Sequence, residues 1–375
     1  MNDIKMVDLH GQYQHIKPEI DAAIAAVIES TAFINGPAVE NFSRNLEKYL
    51  DVKHVIPCAN GTDALQVAMM ALHLQPGDEV ITTTFTFIAT VETIALLGIT
   101  PVLVDVYPDT FNINIEQVKN AITPNTKAIL PVHLFGQCAN MNEIMEIAHE
   151  HNLFVIEDAC QAIGADYQLN TGVIKKAGTI GHIGCTSFFP SKNLGCYGDG
   201  GALFTNDDAL AENMRSIVNH GMKIRYYHDQ IGVNSRLDTI QAAILSVKLP
   251  KLDEYSAARH GAAERYNSLL SGIQGVETPV ISPDTSHVFH QYTLKVPVEK
   301  REALQKFLAE KGIPAMIYYP VPIHQQKAFQ TIKVNNHFFP VAEMLSKRVI
   351  SLPMHTELTE EQQVYIASSI KEFFR

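Results

Sequence analysis

Between residues 54 and 158, short apolar runs alternate with segments whose apolar residues recur at helical spacing. Few folds accept such a pattern. His54 to Cys58 is an apolar run that ends in the turn signal Ala59-Asn60-Gly61. Thr62 to Leu74 then carries Ala64, Leu65, Ala68, Met69 and Leu72 at helical spacing, and Pro76-Gly77-Asp78 breaks the helix. Glu79–Thr83, Pro101–Asp105, Lys127–Val132 and Leu153–Glu157 read as strands, with helices over Phe87–Leu97 and Met141–His151 between them. Buried strands alternating with helices predict a mostly parallel sheet covered on both faces, an α/β fold.

The alternation weakens after residue 206. Asp207–Val218 reads as a helix, and Leu237–Leu270 as a long helical stretch interrupted at Pro250. Gly272–Asp284 is rich in Gly, Pro and polar residues, as a connection would be. Gln291–Val296, Ala315–Tyr319 and Val349–Leu352 read as strands, with helices over Lys300–Lys311 and Glu360–Phe374. The expected organisation is a large domain over residues 1–250, with an N-terminal arm, and a smaller C-terminal α+β domain over 251–375.

Charge and cysteine usage narrow the function. The formal net charge is −11, which argues against a nucleic-acid phosphate track. The five cysteines form no CxxC pair, so neither a disulfide framework nor a structural zinc site is expected, and no metal is assigned. The first twenty residues contain no apolar h-region and no apolar run reaches membrane-spanning length, so the expected location is the cytoplasm, with no membrane partner.

Three segments carry chemistry. Asn60-Gly61-Thr62-Asp63 lies at a strand-to-helix junction, where free N–H groups and the positive end of the helix dipole suit a phosphate; an ordinary helix cap is the plainer reading. Glu157-Asp158 closes an apolar strand, and two adjacent carboxylates there call for a cationic partner or serve as a cap for the next helix. Lys192, in Ser187-Phe188-Phe189-Pro190-Ser191-Lys192-Asn193, sits among aromatics and Pro, where partial burial would lower its pKa and free its amine for nucleophilic or base chemistry; a solvated loop lysine is the alternative. The following Gly198-Asp199-Gly200-Gly201 lacks the spacing of a phosphate loop and reads as a turn before the strand Ala202–Thr205. Cys160 reads as a small buried hydrophobe, since no oxyanion-type motif pairs it with His182.

A lysine, an aspartate upstream of it and an anion site at an earlier helix N-terminus together suit pyridoxal 5'-phosphate. With these residues the sequence resembles the DegT/DnrJ/EryC1/StrS family of nucleotide-sugar aminotransferases over nearly its whole length. The resemblance runs through Asn60–Leu65, Thr86–Thr90, Glu157–Ala162, Ser187–Leu194, Asn234–Asp238, Gln241–Leu245, Tyr319–His324 and Ser351–Met354. It implies the aspartate-aminotransferase-like fold (fold type I), with Lys192 holding the cofactor and moving the proton, and Asp158 keeping the pyridine nitrogen protonated. It further implies Gln161 at the ring's phenolic oxygen, Phe87 stacked on the ring, and Gly61, Thr62 and Ser187 on the phosphate. Asn234 occupies the place of an asparagine that relatives lend to the neighbouring subunit's phosphate site, which implies a homodimer with shared active sites. Arg236, Tyr318 and Tyr319 fall where relatives contact the sugar nucleotide.

Relatives that remove a sugar hydroxyl carry histidine where Lys192 stands, so the resemblance favours transamination of a nucleotide-linked keto-sugar, with L-glutamate as donor and 2-oxoglutarate as product. The segment Phe188–Gly201 is most similar to members that aminate 3-keto sugars. The substrate it suggests first is UDP-2-acetamido-2-deoxy-3-oxo-glucuronate, for polysaccharide precursor synthesis, with dTDP-3-keto-6-deoxyhexoses and UDP-4-keto-sugars as alternatives. A PLP-dependent sugar dehydratase or a regulatory protein would be a more distant reading.

Overall fold

A computed structural model describes residues 3–330 and 338–375. Three helices come first: α1 (Leu9–His15), α2 (Lys17–Ser30) and α3 (Pro37–Leu50). Strands β1 (His54–Cys58), β2 (Glu79–Thr83), β3 (Thr100–Val104), β4 (Thr126–Leu130) and β5 (Phe154–Asp158) then alternate with α4 (Gly61–Ala71), α5 (Ala89–Leu96), α6 (Ile115–Ala121) and α7 (Met141–His151). A small hairpin, β6 (Asp166–Gln168) with β7 (Ile174–Lys176), precedes β8 (Ile183–Ser187) and β9 (Gly201–Thr205). The seven-stranded sheet has the order β1-β9-β8-β5-β4-β2-β3. Every neighbouring pair from β8 to β3 is parallel, while β9 runs antiparallel to both β8 and β1. That reversal follows from the chain: the Phe188–Gly200 connection contains no helix, and a parallel return needs a crossover.

The sheet is covered on both faces, as its apolar strands require. One buried cluster joins Val80, Leu103 and Ile156 to α4, α5 and α8 (Asp208–Ile217); another joins Ile81, Val102 and Val155 to α6 and α7. Side chains alternate along each strand, so consecutive strand residues feed opposite clusters.

Beyond α8 come the hairpin β10 (Met222–Ile224) with β11 (Tyr227–His228), then α9 (Thr239–Lys248) and α10 (Leu252–Leu270), separated by one 3₁₀ turn at Pro250. The expected interruption falls where the proline puts it. The antiparallel pair β12 (Tyr292–Lys295) and β13 (Val349–Leu352) packs with α10, α11 (Val298–Glu310) and α13 (Glu360–Phe374) around a separate buried cluster, and α12 (Pro340–Arg348) leads into β13. That cluster supports a domain boundary near residue 250, which we propose on this ground. One expectation fails. Ala315–Tyr319 is not a strand: only Met316 bridges to Ser351, and the chain then turns toward the main sheet. Among the described residues no helix is long and apolar enough to cross a membrane.

Candidate active site

The ends of β5 and β8 and the start of α4 meet around a pocket of about 420 Å³. This is the carboxyl edge of the parallel strands, where open α/β sheets hold ligands. Gly61, Thr62, Phe87, Asp158, Gln161, Ser187, Lys192, Tyr318 and Tyr319 all line it. Residues from five separate stretches of the sequence are therefore brought to one cavity. Asn234 and Arg236 are not among its lining residues; Asn234 is exposed and bridges to Asn219.

The α4 N-terminus is built to receive an anion. Asn60 caps the helix by accepting the Asp63 N–H at 2.8 Å, and among the described residues no hydrogen bond uses the Gly61 or Thr62 N–H. Both donors are left for a ligand, at the positive end of the helix dipole. Glycine is required at 61 by proximity: an added Cβ would lie 2.8 Å from the Ser187 Cβ and 2.9 Å from the Cys160 Sγ. Gly201 is crowded in the same way, its added Cβ falling 2.5 Å from the Asn60 carbonyl. The helix start is thus seated directly on the ends of β8 and β9. Gly61→Ala is expected to displace it and to weaken binding of pyridoxal phosphate by about tenfold or more, with an overpacking cost of about 1–3 kcal/mol. Absorbance titration of cofactor-stripped protein measures the affinity, and an unchanged dissociation constant would remove Gly61 from the phosphate cradle.

The adjacent carboxylates of β5 part company. Glu157 points into the protein, wholly buried, where its oxygens accept the His133 Nε2–H at 2.8 Å and the N–H groups of Gly178, Ile180 and Gly181 at 2.9, 2.7 and 2.5 Å. Asp158 points into the pocket and is 6% exposed. Its Oδ2 accepts the Thr90 hydroxyl at 2.9 Å, and its Oδ1 accepts the Cys160 N–H at 3.2 Å. Thr90 is in turn joined to Thr86 at 3.0 Å. No salt bridge of the described residues uses Asp158, so its charge is left for something bound in the pocket.

Lys192 borders the pocket on the β8–β9 connection. Burial of its amine holds its pKa below the usual lysine value of 10.5, while Cys160 and Asp158 act in the opposite direction. A neutral amine is therefore easier to reach than on a surface lysine. Gln161 presents its NH₂ end to the cavity, because its Oε1 accepts the Phe135 N–H at 2.9 Å and its Nε2 donates to the Tyr319 hydroxyl at 3.1 Å. Phe87, half exposed, stands at the rim with its ring 6.3 Å from that of Tyr319.

Sequence reasoning did not assign several of the lining residues to the site, four of them with chemistry to offer: Thr90, Cys160, His290 and Gln291. Thr90 orients Asp158, and its only sequence signal was its place in the Thr86–Thr90 segment. His290 and Gln291 come from the chain just before β12, where nothing in the sequence set them apart. Burial, with the charges of Lys192 and Arg259 beside it, holds the His290 imidazole well below the usual histidine range, so it is neutral. Cys160 corrects an expectation: it is not a wholly buried hydrophobe but a partly exposed pocket residue. Burial and the nearby Asp158 raise its thiol well above 9, so it stays protonated. His182 accepts the Val155 N–H through Nδ1 and plays no part in the site. Among the described residues no group of three or more His, Cys, Asp or Glu is arranged to hold a metal.

The pocket fits pyridoxal phosphate in its donor set: an anion cradle at a helix start, a desolvated amine and a carboxylate with no cationic partner of its own. Joined to this sheet, those parts define a protein of the aspartate-aminotransferase-like fold, fold type I. The chain belongs to the DegT/DnrJ/EryC1/StrS aminotransferase family, whose model matches residues 14–371. It is 49% identical over its whole length to a pleiotropic regulatory protein of Geobacillus stearothermophilus, covering 99% of that protein. It is 46% identical to the UDP-2-acetamido-2-deoxy-3-oxo-D-glucuronate aminotransferase of Pseudomonas aeruginosa, across 95% of this chain and 96% of the relative. The crystal structure of a DegT/DnrJ/EryC1/StrS aminotransferase from Brucella abortus superposes with a TM-score of 0.94 at 43% identity, covering 99% of each chain.

Proposed function

We propose that this protein transfers an amino group from L-glutamate to the ketone of a nucleotide-linked sugar, using pyridoxal phosphate, and that its substrate is UDP-2-acetamido-2-deoxy-3-oxo-glucuronate. The observation that carries the reading is the desolvated Lys192 amine in one pocket with Asp158 and the free N–H groups of α4. The P. aeruginosa relative, at 46% identity, supports the choice of sugar. When bound, pyridoxal phosphate supplies an aldehyde that joins amines reversibly and a ring that accepts the electron pair left by a departing proton.

The chain's own residues do the rest. The Gly61 and Thr62 N–H groups and the Ser187 hydroxyl would hold the phosphate. Asp158 would keep a proton on the ring nitrogen, and the Gln161 NH₂ group would meet the ring's phenolic oxygen. Phe87 would cover the ring and exclude water from it. Lys192 Nζ would be the covalent anchor and, as the free amine, would take the proton from the donor's α-carbon and deliver one to the sugar carbon that receives the amino group. Tyr318 and Tyr319 meet the sugar. Asn234, which does not line its own chain's pocket, would serve the site of a second copy in a homodimer, and Arg236 would contact the sugar nucleotide.

The Geobacillus relative's description raises a second reading, a regulatory protein on an inherited fold. One experiment separates them. The protein loaded with pyridoxal phosphate is mixed with L-glutamate and then with a panel of nucleotide keto-sugars. Loss of the visible cofactor band, release of 2-oxoglutarate and fastest turnover of the 3-oxo-glucuronate are expected. A band indifferent to glutamate would favour the regulatory reading. Preference for a dTDP-3-keto-6-deoxyhexose or a UDP-4-keto-sugar would keep the reaction and overturn the substrate.

A further inference from the structure

Lys248, on α9, is among the largest fully buried side chains of the protein, with 1% of its surface exposed. No carboxylate pairs with it among the described residues. Its Nζ donates to the Gly195 carbonyl at 2.8 Å and lies 4.5 Å from the centre of the Tyr197 ring. An uncompensated buried ammonium is costly, and a methionine would fill similar space without that cost. The reason for a lysine must therefore lie in what its head group holds.

What it holds is the segment that presents Lys192. Phe188 and Cys196 close this loop through the Cys196 N–H and the Phe188 carbonyl at 2.8 Å, and the Lys192 N–H bonds to the Phe189 carbonyl at 2.8 Å. Gly195 is folded so tightly beneath it that an added Cβ would lie 2.3 Å from the Pro190 carbonyl oxygen. A second side chain of α9 grips the same segment. Gln241 accepts the Tyr197 N–H at 2.9 Å and donates to the Tyr197 carbonyl at 3.3 Å. Residues 241 and 248 are two helical turns apart and share a face, so α9 clamps residues 195–197 at two points. On the far side, Asn193 Nδ2 donates to the Val288 carbonyl at 2.8 Å, fixing the residue next to Lys192.

We propose that Lys248 is a positioning residue that holds the Gly195 carbonyl and thereby sets where the Lys192 amine stands in the pocket. This rests on the reading of Lys192 as the anchor for pyridoxal phosphate. Burial lowers the Lys248 ammonium to about 8, consistent with a group retained at a cost.

The test is capture of pyridoxal phosphate by cofactor-stripped full-length protein, followed by growth of the visible band and by borohydride trapping at Lys192. Lys248→Met should melt within a few degrees of wild type yet capture the cofactor at least tenfold more slowly. Lys248→Arg, which keeps a donor for the Gly195 carbonyl, should recover most of the rate. Wild-type capture by Lys248→Met overturns the proposal. So does equal slowing of both variants together with lowered melting temperatures, which would mean that Lys248 only fills space. A wild-type protein that captures no cofactor at Lys192 would instead overturn the function on which the proposal stands.

Discussion

Lys192→Ala is expected to reduce steady turnover by roughly 10⁴-fold, since the covalent anchor and the proton carrier vanish together. The fold should survive: the side chain makes no salt bridge among the described residues, and the loop is held by the backbone bonds of Phe188, Lys192 and Cys196 and by α9. Circular dichroism and melting temperature check the fold, and product formation checks the rate. Activity within tenfold of wild type would refute the assignment. The same variant tests sharing of sites. Mixed under subunit exchange with an impaired Asn234→Asp chain, it should regain activity, approaching about half a wild-type site per heterodimer, because one site then has both Lys192 and a partner's Asn234. Verified exchange without recovery would return Asn234 to its own chain or to no site.

Asp158→Asn is expected to leave cofactor binding largely intact and to slow the glutamate half-reaction by roughly a hundredfold or more, as removal of a placed electrostatic group does. Asparagine keeps the shape, and its amide can still accept the Cys160 N–H while the Thr90 hydroxyl turns to accept from its other end. What it cannot do is balance a proton on the ring nitrogen. Stopped-flow loss of the visible band gives the rate, and cofactor content after dialysis gives the binding. An unchanged rate would reduce Asp158 to a cap for the turn at Cys160.

The sheet was legible in the sequence because its strands are buried on both faces, which writes each of them as a continuous apolar run between turn signals. Ala315–Tyr319 misled for the same reason in reverse. It is apolar because it passes between the β12–β13 pair and the pocket, not because it pairs along its length. Lys192, Asp158 and Gly61 were legible because a loop lysine, a strand-ending carboxylate and a helix start each carry local chemistry. Thr90, His290 and Gln291 do not. Their significance comes from the start of α5 reaching the end of β5 through Thr90 and from the chain before β12 reaching the pocket, juxtapositions that no short window contains. From the strand pattern alone it was not legible which carboxylate of β5 would face the ligand; the family resemblance picked out Asp158. Period-two alternation says that neighbours point opposite ways and is silent on which side the pocket lies.

That last point bears on how this stretch tolerates change. Glu157 is gripped by four donors from two separate segments, and Asp158 faces the pocket, one residue away on the opposite face. Losing or gaining one residue in β5 would exchange the two, putting Glu157 in the cavity and Asp158 in the protein's interior. Substitution can alter this strand in steps, but insertion or deletion cannot. Its length in residues is as much a part of the active site as its aspartate.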